Sequence, residues 1–293
     1  MAPAGCSAIP GFARLRHCGF FMLTGVSDAS GMEGGPGFDP TVPNVARIYD
    51  YMLGGKDNFA ADRQLAEQIM ANVPTSAWSA RQQRAFVVRA VRYCAQQGIG
   101  QFLDIGSGLP TMDNVHEVAR RVIPEAAVVY VDIDPVALGH ARALLATSPG
   151  VAAIWGDARE PQKILAHVRA DGLLDLARPV VVLMTGILHF IADAEDPAGI
   201  VEAFRDAIPA GSYLALSQAT DDVRRGDAEY AKDVMRRGSA SPLHTRSHDE
   251  FAAFFAGLEL IDPGVVLTVR WRPDRPARNL EQAGIYVGVG SKP

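Results

Sequence analysis

Apolar positions recur at helical spacing in the first third of the chain and gather into short runs after it. Between Ser76 and Gln97, Phe86, Val87, Ala90, Val91 and Cys94 share one helical face, and Gly98 supplies a stop. Beyond Gly98 the period changes. Strands are predicted over 101–104, 127–132, 151–155, 179–185 and 212–218. Helical faces alternate with them: Met112, Val115, Val118, Ala119 and Val122, then Leu138, Ala141, Leu144 and Leu145, then Ile164, Leu165 and Val168, then Ile200, Phe204 and Ile208. Asp134-Pro135 and Asp196-Pro197 read as caps with a first-turn proline. The run 179–185 is continuously apolar, as in a strand buried on both faces of a parallel sheet. Asp104, Asp132, Asp157 and Thr185 close the first four units at spacings of 28, 25 and 28 residues, the length of a βα unit. The expected fold is therefore α/β: a Rossmann-like, doubly wound, mostly parallel sheet. Ser247 and Glu250 form a capping box before Phe251, Phe254 and Phe255. Val265–Arg270 and Ile285–Val289 are expected to make an antiparallel hairpin at the sheet edge.

Residues 1–38 end in Gly34-Gly35-Pro36-Gly37 without a sustained period and are expected to be a disordered leader. A helical segment over 39–98 and a sheet domain over 99–293 follow. Hydrophobic residues at 48% and charged residues at 21% suit a folded enzyme-sized body. A net charge of -5 provides no chain-wide positive field for a phosphate backbone, so nucleic acid is not the expected partner. Arg224-Arg225, Arg236-Arg237 and the group Arg270, Arg272, Arg275 and Arg278 are the local candidates for a basic patch. Three cysteines without a CxxC pair argue against a disulfide framework or structural zinc and point to a reducing cytoplasm. His244 and His248 lack a third ligand at matching spacing. No apolar run approaches the roughly 20 residues that span a bilayer.

The chemistry concentrates where strands turn into helices. Asp104-Ile105-Gly106-Ser107-Gly108-Leu109-Pro110 follows the first strand, and its glycines let the backbone approach a ligand at a helix N-terminus. A dinucleotide fingerprint would need Gly or Ala at position 111, which holds Thr. Asp104, two residues before the first glycine, instead suits the amino acid end of S-adenosylmethionine (SAM). Asp132, followed by Ile133, ends the second strand, where a carboxylate accepts from ribose hydroxyls; Asp134 reads as the helix cap. Gly156-Asp157-Ala158 suits adenine, with Asp157 accepting from the amine and Ala158 donating its N–H. Thr185 ends the fourth strand, and His189 just beyond is the candidate general base near neutral pH, packing being its simpler role.

These motifs together resemble class I SAM-dependent methyltransferases. The segment Asn44-Val45-Ala46-Arg47-Ile48-Tyr49-Asp50-Tyr51-Met52-Leu53-Gly54-Gly55-Lys56-Asp57-Asn58-Phe59-Ala60-Ala61-Asp62-Arg63 resembles the N-terminal signature of a bacterial SAM methyltransferase family long catalogued as a domain of unknown function. Asn114 to Ala119 and Trp271-Arg272-Pro273 are similar to the same family, over roughly Asp39 to the C-terminus. The resemblance implies a seven-stranded sheet, an N-terminal helical cap and a ligand pocket bordered by the signature. Gly54-Gly55 breaks a helix there, and Arg47, Tyr51, Lys56 and Asn58 project around the break. Arg47 or Lys56 is expected to pair with the SAM carboxylate, with Tyr51 covering the ligand. The chain is expected to be a SAM-dependent methyltransferase acting on a small molecule. An RNA methyltransferase and a non-catalytic SAM-binding protein are the alternatives.

Overall fold

A computed structural model describes residues 39–293 except 111, 112, 146, 147 and 277, together with the backbone but not the side chains of 144 and 145. The expected leader, Thr111, Met112 and the apolar side chains of Leu144 and Leu145 therefore lie outside the described residues.

Among the described residues three helices come first: α1 (Val45–Leu53), α2 (Ala60–Asn72) and α3 (Ser76–Gln96). Asn44 starts α1 by accepting the Ala46 N–H at 2.8 Å, and Gly54, at φ 86°, ends it in the left-handed region. The alternating part follows as β1 (Gln101–Ile105), α4 (Val115–Arg120), β2 (Ala127–Asp132), α5 (Pro135–Leu145), β3 (Val151–Trp155), α6 (Pro161–Ala170), β4 (Val181–Met184), α7 (Pro197–Ala207) and β5 (Tyr213–Ala219). Both acidic caps act as the sequence suggests: Asp134 accepts from Val136 N at 2.7 Å and Asp196 from Gly199 N at 3.0 Å. Then come α8 (Arg225–Gly238), α9 (His248–Ala253), β6 (Glu259–Leu260), β7 (Val266–Leu267) and β8 (Ile285–Ser291).

Among the described residues the sheet has eight strands, in the order β3-β2-β1-β4-β5-β8-β6, with β7 also paired to β8. Strands β1 to β5 run parallel, and β8 lies antiparallel against β5 from Tyr213↔Ser291 to Ala219↔Ile285. The expected hairpin partners do pair, as Val266↔Val287 and Leu267↔Tyr286, but β8 also extends the main sheet, and the two-residue β6 is an addition. The chain winds from β1 outward through β2 to β3, then crosses back to β4. This switch point leaves a crevice outside the carboxyl ends of β1 and β4.

One sheet face is covered by α6, α7 and α9, with Leu165, Phe204 and Phe251 fully buried. The other is covered by α3 and α4, with Phe86, Ala90, Val91, Cys94 and Trp271. A third core joins α1, α2 and α8 through Ile48, Leu65, Ile69, Val234 and Met235. Helix α8 is not among the elements predicted above, although Ala228, Ala231, Val234 and Met235 repeat at helical spacing.

Trp271 locks α3 to the C-terminal part. It meets Phe86 edge-on at 5.3 Å and Tyr93 at 5.9 Å, and its carbonyl accepts from Arg89 Nε at 2.8 Å. Arg272 stacks 4.3 Å above the Tyr93 ring. The Trp271-Arg272 motif thus serves packing. Trp271→Ala should destabilise the fold by about 3–5 kcal/mol, read as a lower denaturation midpoint at unchanged m-value. A loss below about 1 kcal/mol would contradict this packing role.

Candidate active site

The crevice at the switch point opens into a cavity of about 610 Å³, within the roughly 300–1,000 Å³ typical of small-molecule sites. Its floor begins at the glycine turn after β1. Gly106 and Gly108 have φ of 70° and 65°, and a Cβ on Gly106 would overlap Ile187 Cγ2, so this turn admits little but glycine. Gly106 N and Ser107 N donate to Val131 O at 2.8 and 3.1 Å, which pins the turn to the end of β2. Gly156 is similarly constrained, since a Cβ there would lie 2.7 Å from Val131 Cγ1.

Two buried carboxylates face this turn. Asp132 accepts from Gly108 N at 2.7 Å and from Asp134 N at 2.8 Å. Burial nevertheless pushes its pKa up to about 6, the backbone donors opposing that rise. Asp104 is pushed up to about 7, chiefly by burial, with the Arg84 charge pulling down and Asp132 pushing further up. At the end of β3, burial raises Asp157, but bonds from Arg159 outweigh it and hold the carboxyl below its usual range. Arg159 grips both Asp157 oxygens and donates to Glu195 at 3.0 Å, tying the β3 loop to the turn before α7.

Asp104, Gly106, Ser107, Gly108, Asp132, Ile133, Asp157, Ala158, Thr185 and His189 all line the cavity. Arg47, Tyr51, Gly54, Gly55, Lys56 and Asn58 do not, which corrects the expectation that they surround the ligand. The reason is the orientation of α1. Its cavity side is Val45, Ala46, Ile48, Tyr49 and Met52, whereas Arg47 and Tyr51 fall on other faces. Tyr51 donates to Glu67 at 2.7 Å, and Tyr49, not Tyr51, is the cavity tyrosine, donating to Ala80 O at 3.0 Å. Gly54 caps α1, and a Cβ on Gly55 would strike the Asp50 carboxylate. That carboxylate accepts from Asn58 Nδ2 at 2.8 Å and from Asp57 N at 3.0 Å, so the glycine break and Asn58 build a closed turn. Lys56 is exposed.

Arg47 is 4% exposed and lies between two carboxylates, Nε being 3.6 Å from Asp62 and 3.4 Å from Asp134. Its Nη2 donates to Val42 O at 3.0 Å. Asp62, fully buried, accepts from Asn44 N and Phe59 N, both at 2.8 Å. The signature therefore carries an internal ion network.

His189 reaches the cavity, but burial, with Arg246 and His244 beside it, lowers its pKa to about 3. Burial therefore disfavours the charged imidazole and lends no support to the base near neutral pH expected from the sequence. Residues missed by the sequence reading also line the cavity, notably Ser76, Gln83 and Arg84 of α3 and Met235 of α8. Ser76, Ala80, Gln83, Arg84 and Val87 form one helical stripe. Polar residues entering an apolar stripe were the available signal. None of the named arginine clusters lines the cavity.

The S-adenosyl methyltransferase family matches residues 33–293. Among solved structures, the chain is similar to a candidate methyltransferase from Thermobifida fusca, with 41% identity over 88% of this chain and 97% of that one and a TM-score of 0.82. It is also similar to a DUF574 family protein from Streptomyces avermitilis, with 38% identity, coverage of 87% and 99%, and a TM-score of 0.84. An O-methyltransferase family protein from Burkholderia thailandensis shares the fold at 14% identity, with coverage of 78% and 62% and a TM-score of 0.50. No curated protein matches the chain.

The buried acids generate a pH signature. A carboxyl with a folded pKa of about 7 against an ordinary value of 3.8 stabilises the fold while protonated. That contribution is lost as pH rises between those values. Asp104→Asn should therefore lose less melting temperature between pH 5 and pH 8 than the wild type does. Parallel pH profiles for the two proteins would contradict the assignment.

Proposed function

The chain belongs to the S-adenosyl methyltransferase family, and on that premise we propose that the cavity holds SAM against the ends of β1, β2 and β3 for methyl transfer to a small-molecule acceptor. One observation carries this reading: the glycine turn, Asp104, Asp132 and the Asp157-Ala158 pair, drawn from three separate strands, line a single cavity. The donor set fits the cofactor. Asp132 accepts from the backbone N–H groups of Gly108, Asp134 and Ile133 and still has lone-pair capacity for a ribose hydroxyl. Asp104 and Arg84 offer opposite charges to an amino acid end, and Ala158 N–H beside Asp157 suits adenine. Ile133 and Thr185 border these groups.

Bound there, SAM supplies an activated methyl group on a sulfonium. The protein's part is to orient the reactants and exclude water, which needs no protein nucleophile. We assign Arg47 a positioning role, because it contacts Asp134 and the Asp134 N–H in turn holds Asp132. Segment 39–98 is assigned the role of a cap whose helices α1 and α3 wall the cavity. The acceptor is taken as a small molecule in preference to RNA because no arginine of the three clusters lines the cavity, and Arg236, Arg224 and Arg272 are paired with Asp233, with Asp227 and with the Tyr93 ring.

Calorimetry should show binding of SAM and S-adenosylhomocysteine but not NAD. Asp132→Ala should weaken both by roughly ten- to a hundredfold, since hydrogen bonds to a charged acceptor contribute about 1.5–3 kcal/mol. Unchanged affinity in a folded variant would remove Asp132 from the ribose role.

A further inference from the structure

The cavity is divided by charge. Its formally charged lining residues are Arg84, Asp104, Asp132, Asp157, Arg159 and Glu195. Four of these belong to the strand ends and the loop after β3, Arg84 acts on Asp104, and Glu195 is bonded to Arg159. The other wall comes from α1, α2, α8, the turn at 188–190 and the segment 240–244. It includes Met52, Ile69, Phe190, Met235 and Leu243. Among the described residues, no Asp, Glu, Lys or Arg lines that wall.

A second observation marks the same wall. His189 is 7% exposed and its ring lies 4.5 Å from that of Phe190. Its Nδ1 is buried without a hydrogen-bond partner among the described residues. Buried polar atoms are nearly always bonded, and His189 lines the cavity, so its unbonded Nδ1, itself closed off from solvent, is a group that a small rotation of the ring would offer to a ligand. The imidazole is held neutral there, so it attracts no anion. Burying a charged group against this wall would strip its water without supplying a counter-charge. The methionines are adaptable, polarisable surfaces suited to flat apolar molecules.

Resting on the SAM reading of the charged wall, we propose that the apolar wall binds an uncharged, predominantly apolar methyl acceptor whose hydroxyl or amino group hydrogen-bonds to His189.

The test uses the full chain loaded with S-adenosylhomocysteine, titrated calorimetrically with 2-naphthol and with 6-hydroxy-2-naphthoate, which adds one carboxylate to the same rings. The naphthol should bind at least about tenfold more tightly than the naphthoate. His189→Ala should weaken naphthol binding about tenfold while leaving the S-adenosylhomocysteine affinity within about twofold. Met235→Lys, and the less invasive Ser241→Lys, should reverse the preference by adding a cation to the apolar wall. Equal or tighter binding of the naphthoate by the wild type, or no binding of either probe to the loaded protein, would overturn the proposal. So would an unchanged preference in folded lysine variants. Failure of S-adenosylhomocysteine itself to bind would instead count against the cofactor reading, and that titration is run first.

Discussion

The buried guanidinium of Arg47 is the constraint on which the arrangement of the site depends. A charge that is 4% exposed is tolerable only with partners, and Arg47 has carboxylates on two different parts of the chain. Asp62 gathers the N–H groups of Asn44 and Phe59, fixing the start of α1 relative to α2. Asp134 caps α5, and its N–H is bonded to Asp132, whose other oxygen receives Gly108 N–H. A continuous path thus runs from the N-terminal helices to the glycine turn after β1. Removing the guanidinium would leave two buried carboxylates facing each other without a counter-ion. The same network helps α1 to offer an apolar side to the cavity: Arg47 is used behind the wall, as Asp50 is in the turn with Asn58.

With that registration set, the cavity acquires two unlike walls. The strand ends concentrate carboxylates whose pKa values burial has raised to about 7 and about 6, a state that a bound ammonium or ribose hydroxyl group would relieve. The helices α1, α2 and α8 supply an apolar surface, of the kind that would shield reacting groups from water. His189 sits between packing and polarity, neutral and weakly basic, which is compatible with a reaction driven mainly by orientation.

Much of this was legible in the sequence where one rule governs one position. The βα spacing placed Asp104, Asp132, Asp157 and Thr185 at strand ends, and the topology of a doubly wound sheet brings such ends together. The N-terminal signature was harder. Arg47, Tyr51 and Asn58 have the chemistry of ligand-binding groups, but sequence does not distinguish a group that binds a ligand from one that satisfies a buried neighbour. Asp62, 15 residues after Arg47, and Asp134, 87 residues after it, are partners only in the folded chain. Likewise Tyr49 and Tyr51 differ by about 200° around α1, and which of them faces the cavity is decided by the packing of α1 on α2 and α8. Arg84 is not legible as a cavity residue because it lies beside the apolar face of α3 formed by Phe86, Val87, Ala90 and Val91, and only the fold shows that its own stripe meets the cavity. Helix α8 was obscured by the arginines at its ends, which are paired locally with Asp227 and Asp233.

In the proposed positioning role, Arg47 acts on the cofactor site through Asp134 and Asp132, without touching the amino acid end of the ligand. Comparing SAM with 5′-methylthioadenosine, which keeps the adenosine part but lacks the amino acid, tests this directly in Arg47→Lys. That variant keeps the charge and loses the planar fork that reaches two carboxylates. A positioning role predicts that both dissociation constants rise by the same factor, to within about twofold. Loss confined to SAM, with 5′-methylthioadenosine binding unchanged, would contradict the account and place Arg47 on the ligand's carboxylate.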